Sequence, residues 1–254
     1  MRWYTERQNR YFGASLVKLC GGRRYHIHCL ENIADVTPSD RIILVANHRS
    51  FFDFYVIMTL NFAHTAISGR ILFPVRSTFF YDRAIGSLIN MSMSAMTMFP
   101  PIMRDKSKRA FNRYAIQRIL LELKRPGAII GYHPEGTRNK GHPYAMLPAR
   151  PGVGEIIRKA DPGVKILPIF VVGMGSNLLL ESLRNWFWPR AFPIDLVYGK
   201  PIDFTELQAR PDTRETHLAI AQRCMTAIQE LAVHQQEHGA LKLPPHGTRE
   251  EASG

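Results

Sequence analysis

The stretch Ile42-Ile43-Leu44-Val45-Ala46-Asn47-His48-Arg49-Ser50-Phe51-Phe52-Asp53 decides how the rest of the chain is read. Its first five residues are apolar and mostly β-branched, as expected of a strand buried on both faces. Polar chemistry begins abruptly at Asn47, where the strand ends. On one continuous helix His48 and Asp53 would stand about 500° apart at 3.6 residues per turn and would face different ways. A break between them is needed, and Ser50 supplies it. A Ser followed three residues later by an acid and then by apolar residues marks a helix N-cap. His48 is therefore expected on the turn before the helix, with Asp53 in the first turn reaching back to its ring. Two readings stay open here. A carboxylate that fixes the tautomer of a histidine and stabilises its imidazolium makes that histidine an effective general base. Alternatively, Asp53 completes the capping box of Ser50 and His48 is a hydrogen-bonded loop histidine.

Working outward, a second strand hands polar residues to a loop: Ala128-Ile129-Ile130-Gly131-Tyr132 runs into His133-Pro134-Glu135-Gly136-Thr137-Arg138. Before it, Lys106 to Arg125 has the helical period, with Phe111, Ala115, Ile116, Ile119, Leu120 and Leu123 on one stripe and Pro126-Gly127 as its stop. After it come a helix at 152–159, a strand at 166–172 interrupted by Pro168, a helix at 178–187 and a strand at 194–198. Asp212 and Glu215 bracket the start of a last helix with Ala221, Cys224, Met225, Ile228 and Leu231 on one side. Strand candidates at 71–76 and 97–103 are weakened by their prolines. This alternation predicts an α/β fold, a mostly parallel central sheet flanked by helices. Residues 1–20 interleave Trp3, Tyr4, Tyr11 and Phe12 with Arg2, Arg7, Arg10 and Lys18, the pattern of an N-terminal amphipathic helix. It lies in a membrane interface or docks on the protein's own core. The expected division is a membrane-associating segment at 1–35, one domain at 36–237 and a disordered tail at 238–254.

Composition narrows the function. The 254 residues are 45% hydrophobic, enough for one domain with a sizeable core. The three cysteines, Cys20, Cys29 and Cys224, show no C-x-x-C spacing, so neither a zinc site nor a disulfide framework is indicated. A reducing compartment fits, and the start lacks the apolar run of a secretory signal. A net charge of +12 implies a polyanionic partner: nucleic acid, an anionic membrane or a phosphorylated substrate. Nucleic acid is disfavoured because the aromatic residues sit in apolar runs and not along the basic helix at 104–125, and no nucleic-acid motif is present. A serine hydrolase is disfavoured because no G-x-S-x-G elbow occurs. His133 and His142 lack a third ligand at a recognisable spacing, so no metal is expected and both read as loop histidines.

Four segments in order, Asn47-His48-Arg49-Ser50-Phe51-Phe52-Asp53, Phe99-Pro100-Pro101-Ile102-Met103-Arg104, Pro134-Glu135-Gly136-Thr137-Arg138 and Ile166-Leu167-Pro168-Ile169, resemble the motifs of the glycerolipid acyltransferases. The likeness is strongest to the 1-acylglycerol-3-phosphate acyltransferase branch and spans roughly residues 41 to 203. It implies transfer of a fatty acyl group from acyl-CoA or acyl-carrier protein to the free hydroxyl of a lysophospholipid, with 1-acylglycerol-3-phosphate giving phosphatidic acid. By the resemblance, His48 is the base and Asp53 holds its ring, while Arg104, Glu135, Gly136, Thr137 and Arg138 bind the acceptor's glycerol phosphate. Arg76 stands where many members carry a Lys and is a further phosphate candidate. No metal or bound cofactor is implied. The partners implied are the lysophospholipid, the acyl thioester, acyl-carrier protein where it is the donor, and an anionic membrane surface, but no nucleic acid. The implied location is the cytoplasmic face of the inner or cell membrane, peripheral or monotopic. The uncharged segment from Ala84 to Met103, which holds five of the ten methionines, is either a helix packed in the core or a soft wall for an acyl chain. Other lysolipid acceptors, such as a lyso-ornithine lipid, and a non-enzymatic basic binding module are the competing readings.

Overall fold

The computed structural model describes residues 14–64, 71–76, 81, 84, 86, 88, 90, 97–103 and 105–242. A six-stranded sheet forms the centre, built from β1 (Tyr25–His28), β2 (Ile42–Ala46), β3 (Ile71–Leu72), β6 (Ile129–Tyr132), β7 (Lys165–Val172) and β8 (Ile194–Tyr198). Its order is β1-β8-β7-β2-β6-β3, and every neighbouring pair is parallel except β7 with β8. The mostly parallel α/β fold read from the alternation is the fold found.

Strand periodicity divides the core. Ile42, Leu44 and Ala46 of β2 point into one apolar cluster, and Ile43 and Val45 point into another on the opposite face. β7 splits likewise, Leu167, Ile169 and Val171 to the first face and Ile166, Phe170 and Val172 to the second. Helix α2 (Asp53–His64) covers the first face, through Phe54, Tyr55, Ile57 and Met58. On the second lie α3 (Arg109–Leu123), α4 (Pro151–Lys159), the short α6 (Thr205–Ala209) and α7 (Arg214–His238). Helices α4 and α7 approach so closely that a Cβ on Gly154 would stand 1.8 Å from the carbonyl oxygen of His217, so only glycine fits there.

Several elements differ from their sequence expectations. The strand expected at 71–76 divides around Phe73-Pro74. Ile71–Leu72 joins the main sheet, and β4 (Val75–Arg76) pairs with β5 (Pro101–Ile102) in a separate two-stranded ribbon. β5 is all that forms of the strand expected at 97–103. Pro168 does not interrupt β7. It sits just before pairing with β8 begins at Ile169↔Tyr198, and its carbonyl still accepts from the Gly199 N–H at 2.9 Å. Helix α3 starts three residues late, because Asp105 caps a 3₁₀ turn at Lys106–Lys108 by accepting from the Ser107 N–H. Phe111, assigned to its apolar stripe, is exposed, while Ala115, Ile119 and Leu123 are buried. The last helix is capped by Thr213, and Asp212 instead accepts from His217 Nε2 at 2.6 Å.

At the N-terminus, α1 (Ala14–Gly21) ends where Gly21-Gly22 was expected to stop it. The rest of the amphipathic segment, residues 85, 87, 89 and 91–96 of the methionine-rich stretch and residues 243–254 lie outside the described residues. β1, within the segment set apart at 1–35, pairs with β8 as an edge strand of the sheet. Among the described residues, no helix is long and apolar enough to cross a membrane.

Candidate active site

Three parallel strands, β6, β2 and β7, end side by side, and their three loops meet. α2 leaves β2 on one face and α4 follows β6 on the other, so the chain parts between these two strands. Such a parting at the carboxyl ends of parallel strands is where α/β sheets form binding crevices. The register Val45↔Tyr132 sets Asn47-His48 beside His133-Pro134-Glu135.

Asn47 ends β2 by imitating backbone. Its side-chain amide donates to the Val171 carbonyl and accepts from the Val171 N–H, both at 2.8 Å, extending the ladder to β7 by one more step. His48, released from the ladder, is held by its own backbone. Its N–H donates to Glu135 Oε1 at 2.9 Å, and its carbonyl accepts from the Asn139 N–H at 2.8 Å. Arg49 donates to the carbonyls of Gly141 (2.6 Å) and His142 (3.2 Å), pinning the same loop. Ser50 Oγ donates to the Gly175 carbonyl after β7 and accepts from the Phe52 N–H.

Asp53 makes the contacts of both readings that the sequence left open. Its Oδ2 accepts from the Ser50 N–H at 2.7 Å, the capping-box bond, and from the Arg49 N–H at 2.6 Å. The same oxygen lies 3.2 Å from His48 Nδ1. That contact places the proton on Nδ1 and leaves Nε2 with its lone pair, the tautomer of a general base. Burial raises the Asp53 carboxyl to about 6, against the pull of the Ser50 and Arg49 N–H groups and the Arg49 charge, so it is ionised at neutral pH. Burial, aided by the nearby Arg138 charge, lowers His48 to about 4, so its ring is neutral.

His133 stacks on His48, with ring centroids 4.1 Å apart and planes 3° from parallel, and its Nδ1 lies 2.9 Å from the Ala46 carbonyl. Burial and the His48 ring lower its pKa to about 3, holding it neutral too. Potential metal-ligating atoms of His48, Asp53 and His133 lie within 4.8 Å of one another, a grouping that the spacing of the histidines did not suggest. An imidazole lone pair lies in the ring plane, so parallel stacked rings aim theirs side by side and not at one point. The arrangement fits proton transfer better than metal ligation.

Glu135 is buried, and both its oxygens accept backbone N–H groups, from His48 and from Leu147 at 3.2 Å. Gly136 turns the loop at φ 65°, in the left-handed region that glycine tolerates. Thr137 follows half-buried and Arg138 exposed, with the exposed cations Lys140 and Arg150 on the same loop. Of the expected site residues, the fold thus unites His48, Asp53, Glu135, Gly136, Thr137 and Arg138. Arg104 and the side chain of Arg76 lie outside the described residues. Sequence reading missed Asn47, Asn139 and the stacking role of His133. The only signal for His133 was that two strands each end within two residues of a histidine.

A three-layer α/β sheet with a His–Asp pair at its strand ends defines the class, and the comparisons name the family. The profile of the family described as Acyltransferase matches residues 24–172, more than half of the chain, and the chain belongs to that family. It is 29% identical over 193 residues to the 1-acyl-sn-glycerol-3-phosphate acyltransferase BAT2, chloroplastic, of Brassica napus, covering 75% of this chain and 50% of the relative. It is 28% identical over 196 residues to the corresponding LPAT1, chloroplastic, of Arabidopsis thaliana, covering 76% and 49%. The chain therefore spans about half the length of these curated relatives. Among solved structures it is similar to the 1-acyl-sn-glycerophosphate acyltransferase PlsC of Thermotoga maritima, with a TM-score of 0.54 and 18% identity over 92% of this chain and 81% of that one. That likeness speaks to the fold.

Proposed function

We propose that the protein transfers a fatty acyl group from an acyl thioester, acyl-CoA or acyl-carrier protein, to the free hydroxyl of a lysophospholipid, and that the acceptor is 1-acylglycerol-3-phosphate. The observation that carries the reading is the Asp53 Oδ2 to His48 Nδ1 contact of 3.2 Å, which leaves Nε2 as a base at the mouth of the crevice. In this mechanism Nε2 takes the acceptor's hydroxyl proton as the oxygen attacks the thioester carbonyl. Asp53 stabilises the imidazolium that forms. The tetrahedral intermediate collapses by breaking the C–S bond, and the imidazolium returns its proton to the departing thiolate. The ester and the free thiol are the products.

The exposed Arg138, beside Lys140 and Arg150, supports a phosphate-bearing acceptor, since guanidinium presents a planar fork to phosphate oxygens. Glu135 and Gly136 shape that loop, Glu135 through backbone N–H groups rather than through the substrate. The relatives' names support the same acceptor. The excess of positive charge and the lipid substrate support a peripheral place on an anionic membrane surface.

The test is an acyl-transfer assay of purified protein against a panel of lysolipids with both donor types, read by mass spectrometry. Phosphatidic acid formed from 1-acylglycerol-3-phosphate faster than any other product is the expected result. Faster acylation of a lyso-ornithine lipid or another lysophospholipid would overturn the acceptor assignment, and no transfer to any would overturn the reaction.

A further inference from the structure

Helix α5 (Leu178–Phe187) is amphipathic the wrong way round for a helix covering a core. At about 100° per residue, Leu179, Leu180, Leu183, Trp186 and Phe187 fall within one arc of about 120°. All five are exposed, Leu179 at 73% and Phe187 at 67%. The opposite arc is polar and buried. Glu181 bonds the fully buried Arg24 at 2.6 Å, and Asn185 bonds the Leu19 carbonyl and the Arg23 N–H, both at 2.9 Å. Trp188, whose ring meets that of Phe187, is exposed too, as are Phe192 and Leu19 of α1, whose carbonyl accepts from Asn185.

The surroundings are one-signed. Residues 14–24 and 178–193 carry the exposed Lys18, Arg23 and Arg190 and the half-buried Arg184, and their one acid, Glu181, is buried and paired with Arg184 and the buried Arg24. Arg184 lies over the Phe192 ring at 4.4 Å. An exposed apolar face with Trp and Phe among its residues, flanked by cations and without an exposed acid in these two described segments, is complementary to a negatively charged lipid interface.

We infer that the outer face of α5 is an interfacial membrane anchor, lodged among the headgroups and upper acyl chains of an anionic leaflet. The face also begins beside the catalytic loop: Ser50 Oγ donates to the Gly175 carbonyl, and the Phe51 N–H donates to Ser176 Oγ at 3.1 Å, just before α5 starts. The helix is about 15 Å long, so embedding it holds His48 close to the headgroup layer where a lysolipid lies. The inference deepens the lipid-acyltransferase reading and rests on it for the identity of that lysolipid.

The test is flotation of the full chain with phosphatidylglycerol–phosphatidylethanolamine vesicles and with phosphatidylcholine vesicles. Wild type is compared with Leu179→Glu/Phe187→Glu and with Lys18→Ser/Arg190→Ser, whose exposed side chains support no core. Both variants should partition into anionic vesicles at least about tenfold less than wild type, because one loses inserted apolar area and the other loses attraction to lipid charge. The charge variant should also lose part of the salt dependence. Acyl transfer to a short-chain acceptor dispersed as monomers should stay at the wild-type rate. Partition equal to wild type in both variants overturns the anchor. So does unchanged partition with a self-association lost by sedimentation, which would make this face a contact between copies. Inactivity of wild type on the monomeric acceptor would strike the acyltransferase reading alone, leaving the flotation result to decide the anchor.

Discussion

Asp53 Oδ2 serves three hydrogen-bond partners, and in the proposed mechanism the charge it carries would set the acid limit of transfer. Its pKa of about 6 predicts that transfer falls as pH drops through about 6, when the carboxylate takes a proton and can no longer stabilise an imidazolium. Asp53→Asn should slow transfer at every pH and shift its acid limb towards the value of about 4 held by His48. A pH–rate profile of both proteins checks this, and superposable acid limbs would contradict it. The stacked histidines shape stability in the opposite sense to Asp53. Each takes up a proton near 6.5 when unfolded but only near 4 (His48) or 3 (His133) when folded. Between these values the unfolded chain binds more protons, so stability is full above about 6.5 and is lost as pH falls. Asp53 works against this, because its raised folded pKa favours the native state as pH falls from about 6 towards 4. With two histidines against one carboxyl, Tm should decline below pH 6.5, and His133→Gln should make the decline shallower. A parallel decline in the variant would show that His133 titrates as it does in the unfolded chain.

Helix α5 shows where reading elements from sequence succeeds and where it stops. Its bounds, 178–187, were legible from composition. Its orientation was not, because leucines and aromatics are ordinarily taken as the inner face. What turns Glu181 inward is Arg24, which is 157 residues away in sequence and fully buried. Arg24 also donates to the carbonyls of Phe192 and Gly173. Removing one member of a buried ion pair strands the other, so Arg24→Met should cost about 3–5 kcal/mol in urea unfolding. A cost below about 1 kcal/mol would mean that Arg184 alone satisfies Glu181. Pro168 was legible as an oddity but misread as a break, since its tolerance depends on where β8 pairing begins, a long-range fact.

Across the whole molecule, the alternation of apolar strands and helices was enough to read the parallel sheet. Two strand-end loops rich in polar residues were enough to name most of the candidate residues that the fold brings together. The antiparallel β7–β8 pair and the stack of His133 on His48 were not legible, because both follow from sheet order and register. Nor was the clamp that closes the fold near its C-terminal end. There the buried Asp195 of β8 accepts from His28, Gln235 and the N–H groups of Ala240 and Leu241. Residues 240 and 241, placed in the expected tail, are therefore bonded to the sheet. A chain ending at His238 should be less stable than one ending at Lys242 by about 3–6 kcal/mol, since the two N–H bonds to the Asp195 carboxylate that it loses contribute about 1.5–3 kcal/mol each. Equal unfolding midpoints for the two truncations would show that the clamp contributes nothing.

The central claim is that His48 is the base that moves an acyl group onto a lysolipid. The most direct measurement is the single-turnover rate of ester formation from 1-acylglycerol-3-phosphate and a saturating thioester donor, in wild type and in His48→Ala of matched Tm. The predicted result is a loss of about 10² to 10⁴ in rate, the usual contribution of a general base. A His48→Ala rate within a few-fold of wild type would contradict it.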